Sequence, residues 1–301
     1  MEAIIKLGFV EYGVPDLLVS ANFYESILGL IKVEASEDKL YYKCWDEYDH
    51  HSLVLTKSDK KGLIKVGFKV HHADDLEAFE RKLNQYGVKT HMITKDADVA
   101  LGAALTFVSP FGHNIWLYSE IEQVGKSVTL PEIAPQNTNG LAPMHLDHIL
   151  LSAPDVDQAL EFFTSVLNFR VSEKVVDDDG HVHVFFLFVG GHPHDLAIIR
   201  GPAEKFHHVA FSAEDNSDVL QAYEFLNKNK CKVIVPPSQH GATRGKTTYF
   251  YDPNGYRLEI FSGGYTAYPD MPIVTWRLED LPKALFYSGG PVDLPEFMEW
   301  I

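Results

Sequence analysis

The stretch Leu146-Asp-His148-Ile-Leu-Leu-Ser-Ala-Pro-Asp155 recurs sixty residues later as Phe206-His-His208-Val-Ala-Phe-Ser-Ala-Glu-Asp215. Each copy has an apolar run that contains a histidine, followed by Ser-Ala, an acidic turn and a helical pattern of apolar residues. A repeat of this length predicts a fold built from copies of one small unit of strands and helix.

A second repeat relates the two halves of the chain. Residues Val14–Gly29 match Ala153–Asn168, and Ser109–Trp116 matches Asp252–Glu259. The two repeats together predict four units of roughly 55–60 residues, each with a strand, an amphipathic helix and several short strands. The expected fold is therefore α+β, with two domains, each of paired βαβββ modules that form a mixed, curved sheet.

The same comparison sets the expected domain boundaries. Residues 123–143 are rich in Pro, Asn, Gly, Thr and Ala and are predicted to be a linker. We therefore expect an N-terminal domain at 1–122, a C-terminal domain at 144–265 and a tail at 266–301. The tail should contain a short helix near Leu278–Leu285 and fold back over the second domain.

Composition limits the kind of protein. The 301 residues are 46% hydrophobic and 23% charged, as in ordinary globular proteins. A net charge of −16 argues against nucleic acid, which requires a basic face. No apolar run approaches the ~18–20 residues that a membrane span needs, and the first residues do not resemble a signal peptide. The two cysteines form no metal-binding spacing, and we expect a cytoplasmic location.

Three residues on separate predicted strands suit a metal. His148 and His208 occupy equivalent repeat positions, and Glu259 lies between the apolar residues Leu258 and Ile260. An inward-facing carboxylate costs several kcal/mol unless it is paired or bound to metal. Two histidines and one carboxylate are the ligand set of mononuclear iron(II) oxygenases.

Unit three has no counterpart of Glu259. The equivalent position is Ala197. The symmetric arrangement would therefore provide three ligands instead of four, which leaves coordination positions on the metal open. In the first domain the positions equivalent to His148, His208 and Glu259 are occupied by residues that do not suit iron, namely Phe9, Lys65 and Trp116. Only the second domain is therefore expected to bind metal. A single strand histidine is more often a hydrogen-bonded core residue, but the symmetry favours ligands.

A longer motif precedes the carboxylate. It contains His240, Tyr249, Pro253, Gly255 and Glu259 in order. With the histidine strands, this motif resembles the type I extradiol ring-cleavage dioxygenases of the vicinal oxygen chelate superfamily, which have a glyoxalase-like fold. The resemblance covers nearly the whole chain and is closest to the catechol 2,3-dioxygenase subfamily.

The resemblance implies an enzyme that inserts both atoms of O2 into a catechol and yields a 2-hydroxymuconic semialdehyde. It implies an iron(II) cofactor, with manganese(II) as the alternative, a small aromatic diol as substrate and a homo-oligomer, with a tetramer favoured. The implied roles are metal ligation by His148, His208 and Glu259, acid/base catalysis by His194, hydrogen bonding to substrate by His240 and Tyr249, and an aromatic wall that includes Phe186.

Several alternatives stay open at the level of sequence. His192 could act in place of His194, and Tyr251 in place of Tyr249, although the family spacing favours Tyr249. A glyoxalase-type isomerase or lyase would need a fourth ligand, which Ala197 does not provide. A metal-free binding protein would not need this set of polar residues. Ala242 is small where the family often has a larger pocket residue, so the preferred substrate is not determined.

Overall fold

Two mixed β-sheets organise the molecule in the computed structural model, which describes residues 2–124, 139–287 and 295–301. The eight-stranded sheet contains β1 to β8, and the nine-stranded sheet contains β9 to β17. The α+β fold of paired βαβββ modules predicted from the repeats is confirmed. None of the helices in these three ranges is long and apolar enough to cross a membrane.

The first sheet comes from the N-terminal half, with strand order β2-β3-β4-β1-β5-β8-β7-β6. Its strands are β1 (Ile4–Val14), β2 (Ile31–Ala35), β3 (Lys39–Lys43), β4 (Leu53–Lys57), β5 (Gly62–Val70), β6 (Thr90–Ile93), β7 (Ala104–Val108) and β8 (Asn114–Tyr118). Its helices are α1 (Leu17–Ser26) and α2 (Asp74–Tyr86).

The second sheet has the order β14-β15-β16-β13-β9-β12-β11-β10-β17. Its strands are β9 (His145–Ala153), β10 (Arg170–Val176), β11 (Val182–Phe188), β12 (Leu196–Arg200), β13 (Phe206–Ser212), β14 (Val233–Gln239), β15 (Gly245–Tyr251), β16 (Arg257–Gly263) and β17 (Val274–Arg277). Its α-helices are α3 (Val156–Glu161), which continues as a π-helical turn at Phe162–Val166, α4 (Asn216–Lys228) and α5 (Leu281–Leu285), and two 3-10 turns lie at Leu278–Asp280 and Pro295–Met298.

Each module has the same internal pairing. Its first strand pairs in parallel with its last strand, as β1 does with β4 and β13 with β16. The first strands of the two modules in a half pair antiparallel, β1 with β5 and β9 with β13. The centre of each sheet is therefore an antiparallel pair of equivalent strands. Only Ile149 and Val209 of the second half, and Val10 and Val66 of the first, pair with their own counterparts, so other equivalent residues lie on either side of that point.

Aspartate residues cap α1, α3 and α4, and the Pro-Asp turns predicted the first two of these helix starts. The Asp16 carboxylate accepts hydrogen bonds from the backbone N–H groups of Leu18 and Val19 at 2.8 and 3.0 Å. Asp215 and Asp218 form a reciprocal capping box at the start of α4. These side chains satisfy N–H groups that the first turn of a helix leaves unpaired.

The tail is more closely integrated than predicted. It adds β17 as an edge strand, parallel to β10, and the chain ends with Ile301 paired to Phe206 through two backbone hydrogen bonds of 3.0 and 3.2 Å. Parts of the predicted linker (123–143) and tail (266–301) fall at 125–138 and 288–294, outside the described residues, and the domain boundaries remain predictions.

A continuous apolar core joins the two halves. Within it, the Tyr12 and Tyr24 hydroxyls lie 2.5 Å apart, and the Tyr24 hydroxyl donates to the buried Asp252 carboxylate at 3.0 Å. Burial raises the pKa of Asp252, which several hydrogen bonds partly offset. Asp252 belongs to the turn before β16, so this network anchors the strand that contains Glu259.

Candidate metal centre and active site

Three side chains of the second sheet converge on one point. The Glu259 Oε2 atom lies 3.2 Å from His148 Nε2 and 3.0 Å from His208 Nε2, and the two Nε2 atoms are 3.3 Å apart. All three residues are at most 3% exposed. Two imidazole nitrogens and a carboxylate oxygen at this spacing, shielded from water, fit a divalent metal ion.

The strand register explains the convergence. Ala210 on β13 pairs with His148 on β9 and with Glu259 on β16. His208 is two residues before Ala210, so the two share a face of β13. A carboxylate and two imidazoles from three adjacent strands therefore project from the same side of the sheet.

Ala197, which takes the place of a fourth ligand in the symmetric arrangement, lies where the repeat predicted. On β12, Ala197 pairs with Leu150 in the way that Glu259 pairs with Ala210 on β16. Ala197 is 1% exposed and lines the cavity beside the ligand cluster. No fourth protein ligand comes from this strand.

His194 lies against the cluster without belonging to it. Its ring centroid is 3.8 Å from that of His148 and 5.6 Å from that of Phe186. It is 4% exposed, and its Nδ1 has no hydrogen-bond partner among the described residues. Burial, and then the neighbouring His148, lowers the pKa of His194 well below its ordinary value, so the imidazole is neutral.

His240 and Tyr249 complete the polar side of the cavity. His240 Nε2 lies 3.3 Å from Glu259 Oε1 and 3.2 Å from the Tyr249 hydroxyl. Burial raises the pKa of Tyr249 well above its ordinary value, so the phenol keeps its proton and can donate it in a hydrogen bond.

Comparison with known proteins gives the family. A family model described as the Glyoxalase/Bleomycin resistance protein/Dioxygenase superfamily matches residues 145–260, and one for the catechol 2,3-dioxygenase-like N-terminal domain matches residues 65–122. Metapyrocatechase of Pseudomonas sp. CF600 is 36% identical over 95% of both chains. The chain belongs to the extradiol ring-cleaving dioxygenases.

A solved structure and a second relative agree with this placement. The 2,3-dioxygenase LapB from Pseudomonas sp. KL28 has a TM-score of 0.87 and 34% identity, over 92% of this chain and 99% of that one. A manganese-dependent 2,3-dihydroxybiphenyl 1,2-dioxygenase from Geobacillus genomosp. 3 is 26% identical over 96% of this dioxygenase and 97% of the relative. The predicted enzyme class is confirmed, and the isomerase and metal-free alternatives are rejected. The family depends on a catalytic metal ion and on O2.

Sequence reasoning missed the residues that orient the histidines of the dioxygenase. Asp147 Oδ1 lies 2.5 Å from His148 Nδ1, and His207 Nδ1 lies 2.7 Å from His208 Nδ1. These contacts hold the Nδ1 side of each ring and leave Nε2 free for metal. A polar residue immediately before each ligand histidine was a signal available in the sequence.

The charges in the cluster favour replacement of a bound proton by a metal ion. Burial raises the pKa of Glu259, but hydrogen bonds from His148, His208 and His240 outweigh it and hold that pKa well below its ordinary value. Burial lowers the pKa of His148, but hydrogen bonds to Asp147 and Glu259 outweigh it and raise it to about 9. Burial lowers the pKa of His208 to about 4. A metal ion would displace the His148 proton.

The two residues left as alternatives by the sequence, His192 and Tyr251, lie apart from His194 and Tyr249. The His192 side chain is 39% exposed, interacts with Asp195 at 3.5 Å and does not line the cavity. The Tyr251 hydroxyl donates to the Glu296 carbonyl at 3.0 Å and also lies outside it. His194 and Tyr249 both line the cavity, as does Phe186. Their catalytic roles remain predictions.

Proposed function

We propose that the dioxygenase cleaves catechols at a single iron(II) ion held by His148, His208 and Glu259. The observation that carries the proposal is the buried convergence of two Nε2 atoms and one carboxylate oxygen within 3.0–3.3 Å. A relative named metapyrocatechase supports catechol as substrate. When bound, the ion supplies adjacent positions for the diol oxygens and for O2.

Iron is proposed over manganese because this ligand set is typical of iron(II) oxygenases. Manganese uses the same ligand types, and one relative is manganese-dependent. Metal analysis after anaerobic purification distinguishes the two.

His194 is proposed as the general acid and base. Its neutral ring lies 3.8 Å from His148 and lines the cavity beside the cluster, so the imidazole can accept a proton from a substrate hydroxyl and later return it. The buried neutral state supports a role as acceptor at neutral pH.

His240 and Tyr249 are proposed to hold the substrate oxygens. Their mutual contact of 3.2 Å and the contact of His240 with Glu259 place two hydrogen-bonding groups on the same side of the cluster. Donors fixed before the reaction stabilise negative charge as it develops on oxygen. Phe186 is proposed to orient the planar ring through an aromatic contact.

The chain should work in the cytoplasm as a homotetramer, as the family resemblance implies. Two free cysteines, one of them buried, suit a reducing compartment. Light scattering would measure the assembly, and cell fractionation would test the location.

One experiment tests the main proposal. Protein purified without oxygen and reconstituted with iron should contain about one metal per chain, and catechol plus O2 should yield a visible-absorbing semialdehyde anion. Cleavage between the hydroxyls, giving cis,cis-muconate, would contradict the extradiol assignment for this site. Two metals per chain would show that the first half also binds metal.

A further inference from the structure

Glu259 has two carboxylate oxygens, and they have different partners. Oε2 lies 3.2 Å from His148 Nε2 and 3.0 Å from His208 Nε2, within the ligand cluster. Oε1 accepts a hydrogen bond from the Thr247 hydroxyl at 2.5 Å and lies 3.3 Å from His240 Nε2. One oxygen is therefore placed to bind a metal, and the other is held by neighbouring side chains.

The register of β15 and β16 brings Thr247 to this carboxylate. Tyr249 pairs with Glu259, and Thr247 pairs with Phe261, which is two residues further along β16. Residues two apart share a face of a strand, and diagonal neighbours across an antiparallel pair are within reach of each other. Thr247 is fully buried and does not line the cavity, so its hydroxyl contacts the carboxylate and not the space for substrate.

Comparison of the modules shows where this hydroxyl occurs. In the module that has Ala197 in place of the carboxylate, the position equivalent to Thr247 is Val184, two residues before the strand partner of Ala197. In the first half, where Trp116 replaces the carboxylate, the equivalent residue is Ala104. Val184 and Ala104 are both buried. An apolar side chain therefore satisfies the sheet at this position, and among these three modules the hydroxyl accompanies only the carboxylate.

The second oxygen of a metal-binding glutamate matters because carboxylates bind metals through one oxygen or through both. The terminal torsion of a glutamate side chain is broad, so an unrestrained carboxylate can turn its second oxygen towards the ion. A second bound oxygen would occupy one more coordination position. The proposed function needs positions for both diol oxygens and for O2, so this rotation would remove the position that O2 needs.

We propose that Thr247 is a positioning residue that holds Glu259 as a one-oxygen ligand and thereby keeps the position for O2 open. The inference rests on the proposed function, because it assumes a metal ion at the ligand cluster. The hydroxyl donates its single hydrogen to Oε1, since an ionised carboxylate only accepts. A hydrogen bond to an ionised oxygen is stronger than one between neutral groups, so it opposes rotation of Oε1 towards the ion.

His240 holds the same oxygen less firmly. Its Nε2 is 3.3 Å from Oε1 and also 3.2 Å from the Tyr249 hydroxyl, whereas the Thr247 hydroxyl is 2.5 Å from Oε1. In the proposed function His240 and Tyr249 also hold substrate oxygens. Thr247 does not line the cavity, so it is the partner that stays on Oε1 while substrate is bound.

Thr247→Val tests the proposal, because it replaces the hydroxyl with a methyl group of similar shape. The variant should keep about one iron per chain, since all three ligands remain. In the anaerobic complex with catechol, nitric oxide serves as the probe of the position for O2. It should bind to the variant at least about tenfold more weakly than to the wild type, the lower end of the usual effect of losing an outer hydrogen-bond partner. Electron paramagnetic resonance measures this binding.

Two further readouts separate positioning from packing. The KM for O2 should rise in Thr247→Val, while the KM for catechol should change far less. Thr247→Ser keeps the hydroxyl and should restore the affinity for nitric oxide. Thr247→Ala removes the hydroxyl with a smaller side chain, and it provides the same test if the valine variant does not fold.

The neighbouring threonine is the matched control. Thr248 is also fully buried, but its hydroxyl donates to the Val235 carbonyl at 2.8 Å. Because adjacent residues of a strand face opposite sides, Thr248→Val removes a buried hydroxyl without a change at the carboxylate. Its affinity for nitric oxide should equal that of the wild type.

The outcomes distinguish the two levels of the proposal. If the wild-type protein binds neither iron nor nitric oxide in the presence of catechol, the proposed function fails, and the inference fails with it. If the wild type binds both and Thr247→Val binds nitric oxide equally well, only the role of Thr247 is overturned. An equal loss in Thr247→Val and Thr248→Val, or no recovery in Thr247→Ser, would also overturn that role.

Discussion

The two sheets have the same modular pairing, yet their centres contain different chemistry. In the second sheet the central positions hold His148, His208 and Glu259, whereas Phe9 and Lys65 occupy the first two equivalent positions of the first sheet. Trp116 replaces the carboxylate and pairs with Gly67 as Glu259 pairs with Ala210. The register that gathers two histidines and a carboxylate in one half therefore gathers a cation and aromatic rings in the other.

The Lys65 ammonium supplies the positive charge at the centre of the first sheet. This ammonium lies 3.0 Å from Glu11 and contacts Asp98, and it sits 3.7 Å above the Trp116 ring. Lys39 adds a second contact to Glu11 at 2.8 Å. The comparison teaches that the same strand register can hold either a lysine ammonium or the residues of a candidate metal site, and that the scaffold alone does not make a catalytic site.

The largest effect should come from the carboxylate that distinguishes the halves. Glu259→Gln removes the only negative charge of the ligand set, and we expect metal and turnover to fall below detection. The loss should exceed the roughly 10–100-fold that removal of an outer hydrogen-bond partner costs. Metal analysis and a catechol assay measure both effects.

The equivalent position in the first half provides the control. Trp116→Phe should retain about one metal per chain and normal turnover, because that half contributes no ligand. Metal retained in full by Glu259→Gln would show that the cation site lies elsewhere.

The next effect concerns turnover without loss of metal. His194→Phe should keep iron and bind catechol yet lose about 10²–10⁴ in kcat, because the acid and base is removed while the ligand cluster stays intact. Single-turnover kinetics would measure the chemical step.

The neighbouring histidine is the control for that loop. His192→Phe should be much milder, since its side chain is 39% exposed and lies outside the cavity. A healthy His194 variant beside an inactive His192 variant would reverse the assignment.

In the first half, the expected effect is on stability. Lys65→Met should lower the free energy of unfolding by about 3–5 kcal/mol, because it leaves the buried Glu11 and the partly buried Asp98 without their central cation. Lys39→Met, at a position that is 28% exposed, should cost less than about 1 kcal/mol. Urea unfolding followed by circular dichroism compares the two, and equal costs would show that Lys65 is not the central charge.

The smallest effect should come from substitution of His207, which contacts the candidate metal ligand His208. His207 Nε2 lies 2.5 Å from the Phe297 carbonyl and its Nδ1 2.7 Å from His208, whereas the equivalent residue of the first half is Ile64. His207→Phe should weaken metal binding by about 10–100-fold. The rate of iron release to a chelator measures this change.

A conservative variant separates orientation from packing. His207→Asn restores a hydrogen-bond acceptor near Nδ1 and should recover part of the lost affinity. Equal iron release from both variants would assign His207 a purely structural role.

The predictions succeeded where a repeat linked distant residues. The sixty-residue offset gave the modules, and the similar distances from His148 to Ala197 and from His208 to Glu259 matched the residue without a ligand group to the carboxylate of one symmetric arrangement. The motif spacing favoured Tyr249 over Tyr251, and the two hydroxyls indeed face different surroundings. Iron as the metal, the tetramer and the cytoplasmic location remain predictions.

Other features were missed, either because strand alternation argued against them or because no pattern linked the residues. Asp147 and His207 are next to ligands along a strand, where alternation would turn them to the opposite face. Irregular pairing between Phe206 and His208 and between Ala210 and Phe211 changes that geometry. The pairing of Ile301 with Phe206 joins residues far apart in sequence without any shared pattern.

The sequence by itself determined the units of the fold, the enzyme family and the candidate ligands, because periodicity, turn residues and motif spacing are local properties repeated along the chain. The tertiary structure alone decided how Lys65 is neutralised, how the Phe297 carbonyl holds the His207 ring and how Ala242 meets Ala284. Each of these contacts joins separate segments, and its energy depends on burial and distance, which exist only once the sheets have formed.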